Sequence, residues 1–160
     1  MSKKNNVLNQ YSLFDYMNMG VKTNISIKKP IRLIEFFSGI GTQFQALHRI
    51  GANVESHCIS DWDINSNKSY KAMHETLTEK VDDYDYSKDL SQDEVIEKLN
   101  NLCLSVNGKD PIDKKFIKRK GEAWQRKTYN EFKANNNLGS ITRVHAVSYT
   151  HLTLPTTSRV

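Results

Sequence analysis

Two glycines, Gly39 and Gly41, flank Ile40 in a segment that follows an apolar run and precedes a helical pattern. Glycine has no Cβ atom, so the backbone amides of such a turn can approach a polar ligand closely, and the positive end of the following helix favours an anion. Many tight turns contain two glycines for steric reasons alone, and for an isolated pair that explanation is the more common one. The turn therefore becomes a candidate binding site only with support from other residues.

Two residues that follow the turn by about 20 positions, the spacing of nucleotide-binding folds, give this support. Asp61 carries a carboxylate that can accept both hydroxyl protons of a ribose, and Trp62 offers a flat apolar surface on which an adenine can stack. Taken singly, Asp61 would more often cap a helix and Trp62 would more often belong to a core. Together with the glycine turn, the two residues predict a site for a cofactor that contains adenosine.

The elements that must position these residues are two strands and two helices. Residues 31–37 are rich in β-branched and aromatic side chains, which predicts a buried strand of a parallel sheet. Apolar residues at helical spacing then predict a helix that ends at Gly51. A second strand is predicted within residues 53–60, with Asp61 at its end, and a second helix within residues 64–77.

Residues 79–137 differ in kind, because they are acidic at first and basic between residues 114 and 127. Ser91 followed by Glu94 is typical of a capping box at the start of a helix, and a further helix is predicted within residues 121–136. We interpret this segment as a helical insertion, after which the chain returns to a third sheet edge near residue 140. The basic block could contact DNA phosphates, but a solvated helix face is the preferred explanation.

Composition bounds the remaining possibilities. A chain of 160 residues with 38% hydrophobic content allows one domain with a modest core, and a net charge of +5 suits an anionic partner such as nucleic acid. The two cysteines, Cys58 in the second strand and Cys103 in a helical stretch, are predicted to be small core residues. Their number and spacing indicate neither a disulfide framework nor a zinc site. No membrane segment or signal peptide is indicated, so a cytoplasmic protein is expected. No metal is expected either, because no cluster of metal-ligating residues is indicated.

Three segments resemble the motifs of DNA cytosine-5 methyltransferases. IRLIEFFSGIGTQFQALHRIG, residues 31–51, is similar to the first motif, and ISDWDINSNKSY, residues 59–70, is similar to the second. LGSIT, residues 138–142, resembles the third motif, with Ser140 in place of the usual aspartate. The leader and the helical insertion further resemble the phage-type members. The resemblance implies an α/β fold, namely part of a Rossmann-like class I S-adenosylmethionine-dependent methyltransferase with a helical insertion.

The same resemblance implies S-adenosylmethionine as the cofactor. The cofactor-binding residues that it implies are Phe37, Ser38, Gly39, Ile40, Gly41, Asp61 and Trp62. The turn amides would face the amino-acid end of the cofactor, Asp61 would hold the ribose and Trp62 would pack on the adenine. At the position of Ser140, the aspartate of the family reaches the adenine amino group.

The resemblance also bears on catalysis and on the partner. The family nucleophile is the cysteine of a Pro-Cys pair, and no proline of this chain precedes a cysteine. No catalytic residue is therefore assigned, and the chain is interpreted as an inactive piece that stops before that pair. Double-stranded DNA is the implied partner, bound through a recognition region outside the chain. The intact protein would serve restriction-modification or phage protection.

The expected organisation is a polar leader in residues 1–30, the amino-terminal part of a methyltransferase domain in residues 31–146, and a tail in residues 147–160. VSYTHLTLPTT, residues 147–157, resembles the translation of a transposon-end sequencing adapter. We therefore interpret the tail as an artefactual, disordered segment, in preference to a natural threonine-rich end.

Two other functions compete with this interpretation. The first is a non-catalytic module that binds a nucleotide cofactor or DNA. The second is a nicotinamide-dependent oxidoreductase, which shares the glycine turn and the acidic residue. That class normally has a third glycine where this chain has Phe44, which argues against it.

Overall fold

The computed structural model of the chain describes residues 29–144. These residues form a small parallel sheet joined to a group of helices. Nearly all of the predicted leader and the whole of the predicted tail, residues 147–160, lie outside the described residues.

The sheet pairs two parallel strands, β1 (Ile31–Phe36) and β2 (Val54–Ser60), which helix α1 (Thr42–Arg49) connects. The first residues of the two strands are register partners, and so are the last, with one irregularity after Leu33. The predicted strand, glycine turn, helix and second strand are all present. Because these two strands are the whole sheet within residues 29–144, a complete Rossmann-like sheet is not observed there.

A short segment extends the sheet on the far side of β2. The Ile59 amide donates to the Asn136 carbonyl at 3.3 Å, and the Leu138 amide donates to the Ile59 carbonyl at 2.9 Å. The resulting bridge between Ile59 and Asn137 is parallel. The chain therefore returns to the sheet close to residue 140, where the sequence predicts a third edge.

The remaining helices are α2 (Ile64–Thr78), α3 (Gln92–Asn101), α4 (Lys114–Arg119), α5 (Glu122–Ala134) and a 3₁₀ turn (Ile141–Arg143). The predicted capping box at the start of α3 is confirmed, since Ser91 and Glu94 each accept a hydrogen bond from the backbone amide of the other. Such a cap contributes about 1 kcal/mol to the stability of a helix.

The hydrophobic core lies among α2, α3, α4 and α5. Its members are Ile64, Val95, Ile96, Leu99, Leu104, Ile117, Tyr129 and Phe132. Burial of each such side chain contributes about 1.5 to 3 kcal/mol. Because most of these residues come from the predicted insertion, that segment supplies most of this core.

One helix was not predicted, and one local expectation is wrong. The helix predicted within residues 121–136 is present as α5, but the basic block also contains α4, which ends at Arg119 before Gly121, the N-cap of α5. Cys103 lies beyond the end of α3, with a φ of +52°, and it is only half-buried. Cys58 is a buried residue of β2, as predicted.

Candidate functional site

The glycine turn connects the end of β1 to the start of α1. Gly39 has a φ of +52° and Gly41 a φ of +78°, so both occupy the left-handed region that favours glycine. The Gly41 amide closes the turn by donating to the Ser38 carbonyl at 2.8 Å. Phe37 also has a positive φ, +55°, although it carries a Cβ atom. A non-glycine residue in this region costs about 1 to 3 kcal/mol, and such residues cluster at binding sites.

Asp61 contacts this turn directly. Its Oδ2 atom accepts a hydrogen bond from the Gly39 amide at 2.8 Å, and its Oδ1 atom accepts one from the Asp63 amide at 3.0 Å. A carboxylate offers roughly four lone-pair positions, so both oxygens can accept further hydrogen bonds. The side chain is only half-buried. The sequence predicts Asp61 and the glycine turn as parts of one site, and the two are adjacent.

Asn137 holds Asp61 in place, and sequence reasoning missed it. Its Oδ1 atom accepts from the Asp61 amide at 3.2 Å and from the Gly139 amide at 2.9 Å. Its Nδ2 atom donates to the Asn67 Oδ1 atom at 2.9 Å, and the residue is 5% exposed. Nothing in the sequence distinguishes it from the two asparagines that precede it.

Two polar groups of the turn lack partners. Ser38 is 2% exposed, and its hydroxyl has no hydrogen-bond partner in the described part of the chain. Within residues 29–144, the Ile40 amide likewise has no acceptor. A buried hydroxyl without a partner costs about 1 to 3 kcal/mol, so a polar ligand that reached these groups would remove this cost. Exposed apolar surface lies beside them, because Phe37 is 74% exposed and Ile40 is 49% exposed.

Trp62 follows Asp61 at the end of β2 and is half-buried. Its carbonyl accepts from the Ser105 amide at 2.8 Å, and the Ser105 carbonyl accepts from the Ile64 amide at 3.0 Å. The loop after α3 therefore packs against the segment that carries Trp62. Side-chain stacking of Trp62 on an adenine stays a prediction.

A buried carboxylate lies beneath the turn. Glu35 is 1% exposed, its Oε1 atom accepts from the Phe44 amide at 3.3 Å, and its Oε2 atom accepts from the Tyr70 hydroxyl at 2.8 Å. Burial raises the pKa of Glu35, and these hydrogen bonds partly oppose that rise. Burial also raises the pKa of the Tyr70 hydroxyl. The sequence marks Glu35 only as the one acid of its strand, so this role was not predicted.

Ser140, at the third-motif position, has a structural task. Its hydroxyl accepts from the Thr142 amide at 3.4 Å as the N-cap of the 3₁₀ turn. Its own amide donates to the Leu102 carbonyl at 2.9 Å. The residue is 7% exposed, so little of it is available to a ligand.

Residues 29–144 contain neither a cluster of metal ligands nor a membrane-spanning helix. No group of three His, Cys, Asp or Glu side chains is arranged to hold a metal ion there. None of the helices in this part is both long enough and apolar enough to cross a membrane.

Comparison with known proteins gives an observation that is independent of the site's geometry. The chain is 31% identical over 114 residues to a Spiroplasma monobiae protein described as orphan methyltransferase M.SssI. This chain is similar to a methyltransferase. The matched region is 71% of this chain and 28% of that protein, so the chain spans just over a quarter of the relative's length. No protein-family profile matches the chain.

Proposed function

We propose that this chain is the S-adenosylmethionine-binding part of a DNA cytosine-5 methyltransferase. The observation that carries the proposal is the hydrogen bond between the Gly39 amide and the Asp61 carboxylate. This contact joins the turn that suits an amino-acid or anionic group to the residue that suits a ribose. The similarity to a methyltransferase supports S-adenosylmethionine over other adenosine-containing cofactors.

The residues present fit this cofactor. The unpartnered groups at Ser38 and Ile40 would meet the polar amino-acid end, and the free acceptor positions of Asp61 would take the ribose hydroxyls. Trp62 would pack on one face of the adenine, and Phe37 would cover another apolar surface of the cofactor. The bound cofactor would supply the methyl group, while these residues bind and orient it. Ser140 carries no charge, so the adenine amino group would gain at most a neutral hydrogen bond there.

The proposal assigns no nucleophile to this chain. Neither cysteine follows a proline, and Cys58 is a buried residue of β2. Burial raises the pKa of the Cys58 thiol, which disfavours the thiolate that attack on a cytosine requires. The chain by itself is therefore expected to bind cofactor without methylating DNA.

The charge distribution supports DNA as the partner. At 3.6 residues per turn, the four cations of α4 lie within an arc of about 140° that excludes the buried Ile117. These cations are Lys114, Lys115, Lys118 and Arg119, and all are exposed. Of these four cations, only Lys114 forms an ion pair within residues 29–144, and its partner is Glu97. The four cations of α4 therefore form one cationic face, and such a face suits phosphates.

Calorimetry with S-adenosylmethionine and with NAD tests the cofactor assignment. We expect tighter binding of S-adenosylmethionine, and we expect Asp61→Asn to weaken it roughly 10- to 100-fold, since a hydrogen bond to a charged group contributes about 1.5 to 3 kcal/mol. Asp113→Asn is the matched control, because Asp113 also accepts a backbone hydrogen bond but caps α4. Tighter binding of NAD, or equal loss in both variants, would contradict the proposal.

The genomic reading frame that contains this chain tests the reaction. A frame that continues through a Pro-Cys pair shortly after Ile141 would support a cytosine-5 methyltransferase. A long continuing frame without that pair would favour the alternative, a module that binds a nucleotide cofactor or DNA without chemistry.

A further inference from the structure

Tyr70 fills the space beneath the glycine turn. A Cβ atom built on Gly41 would lie 2.8 Å from the Tyr70 Cε2 atom and 3.0 Å from its Cδ2 atom. The gap that these residues line together with Phe44, Met73 and Leu77 is too narrow for a water molecule. The ring of Tyr70 and the backbone of Gly41 are thus in direct contact, and neither can move inward independently.

The hydroxyl of Tyr70 belongs to a hydrogen-bonded chain. It donates to Glu35 at 2.8 Å and lies 3.0 Å from the Ser56 Oγ atom. Since the tyrosine proton is used toward Glu35, the Ser56 hydroxyl is the donor in the second contact. Glu35 accepts in turn from the Phe44 amide in the first turn of α1. One chain therefore connects β2, α2, β1 and the helix that follows the glycine turn.

Stability alone does not account for a carboxylate at this position. Glu35 is 1% exposed and has no cationic partner within 4 Å among the described residues. Burial of a charge without a counter-ion is costly, and an apolar side chain of similar volume is often equally or more stabilising. What the carboxylate provides is a fixed acceptor for the helix amide and for the tyrosine.

We propose that Tyr70 and Glu35 are positioning residues, which hold the glycine turn in the conformation that binds the cofactor. The inference rests on the proposed S-adenosylmethionine site. Tyr70 fixes the turn at Gly41 from below, while Asp61 fixes it at Gly39 from the side of β2. Neither Tyr70 nor Glu35 touches the ligand in this arrangement; both act through the backbone between them.

The test compares Tyr70→Phe with Tyr129→Phe in the full chain. Tyr129 is a suitable control because it is 8% exposed, lies in the helical core, and forms no hydrogen bond through its hydroxyl among the described residues. Two quantities are measured: amide hydrogen exchange at Gly41 and Phe44 in the ligand-free chain, and S-adenosylmethionine affinity by calorimetry. We expect Tyr70→Phe to accelerate exchange and to weaken binding about three- to tenfold, the equivalent of one net hydrogen bond. Tyr129→Phe should change neither quantity.

Glu35→Gln provides a second variant with an internal rescue. The glutamine keeps an acceptor oxygen for either the Phe44 amide or the Tyr70 hydroxyl, so its effect should be smaller than that of Glu35→Leu. Unchanged exchange and affinity in Tyr70→Phe would overturn the inference. So would faster exchange with unchanged affinity, because the pair would then serve stability only. If the unmodified chain does not bind S-adenosylmethionine, the proposed function fails, and exchange alone decides whether the pair holds the turn.

Discussion

Replacement of Gly41 by alanine separates the two physical demands on this residue. Gly41 has a φ of +78°, and a Cβ atom there would meet the Tyr70 ring at 2.8 Å. Gly51 has a similar φ, +73°, but a Cβ atom there would have no neighbour within 4 Å. The two glycines therefore share the backbone requirement and differ in the steric one.

The magnitudes follow from this comparison. A left-handed alanine costs about 1 to 2 kcal/mol, and the reduced entropy of the unfolded chain returns about 0.4 to 1 kcal/mol. Gly51→Ala should thus cost about 1 kcal/mol. Gly41→Ala adds overpacking against Tyr70, which typically costs about 1 to 3 kcal/mol, so its total should be about 2 to 4 kcal/mol.

Urea unfolding, followed by far-ultraviolet circular dichroism, measures both costs as changes in the free energy of unfolding. A second substitution, Tyr70→Leu, should remove most of the extra cost of Gly41→Ala, because contacting residues couple in a double-mutant cycle. Equal costs at Gly41 and Gly51, or a Gly41 cost that persists with Tyr70→Leu, would refute the close contact.

Three other substitutions test separate features. Gly139→Ala should cost more than about 4 kcal/mol, measured by urea unfolding, because its Cβ atom would approach the backbone carbonyl of Leu102, which cannot move aside. Burial lowers the pKa of His74, so the folded chain binds fewer protons than the unfolded chain. The free energy of unfolding should therefore fall as the pH drops below about 6.5. In thermal unfolding scans, His74→Phe should flatten this pH dependence. Replacement of both Lys115 and Lys118 by glutamine should weaken DNA binding and reduce the salt slope of fluorescence anisotropy titrations by about 2.

Each of these predictions has a contrary outcome. A fully cooperative, stable Gly139→Ala chain would mean that Leu102 lies elsewhere, and an unchanged pH profile in His74→Phe would mean that other groups set the acid limit. For the DNA experiment, Lys98 and Lys133 form the matched control pair, because both are exposed but lie on α3 and α5. An equal effect of the two lysine pairs would point to net charge in place of a specific cationic face.

Local features of the fold were predictable because local chemistry determines them. The capping box at Ser91 and the glycine turn depend on residues within a few positions of one another. The approach of Asp61 to Gly39 was also predictable, since the carboxyl ends of adjacent parallel strands meet at one edge of a sheet. These features identified the part of the chain where the candidate site lies.

Other features depend on tertiary contacts that no local pattern encodes. Asn137 lies 76 positions from Asp61 in the sequence. It is the buried member of three consecutive asparagines, because α5 packs against α2. Glu35 gained its role from Tyr70, 35 positions away. Helix α4 likewise escaped prediction, because a short charged run gives little periodicity from which to recognise a helix.

The two hydrogen bonds to the Asp61 carboxylate have an energetic consequence for any ligand that it meets. Both oxygens accept hydrogen bonds from main-chain amides in the folded chain. The side chain is therefore already restricted to one rotamer before a ligand binds. The free energy of ligand binding would then not include the cost of about 0.5 to 1.5 kcal/mol for immobilising such a side chain. The Asp61 carboxylate is thus a preorganised acceptor. A relative with the same acid but without one of these two hydrogen bonds should bind the same ligand more weakly.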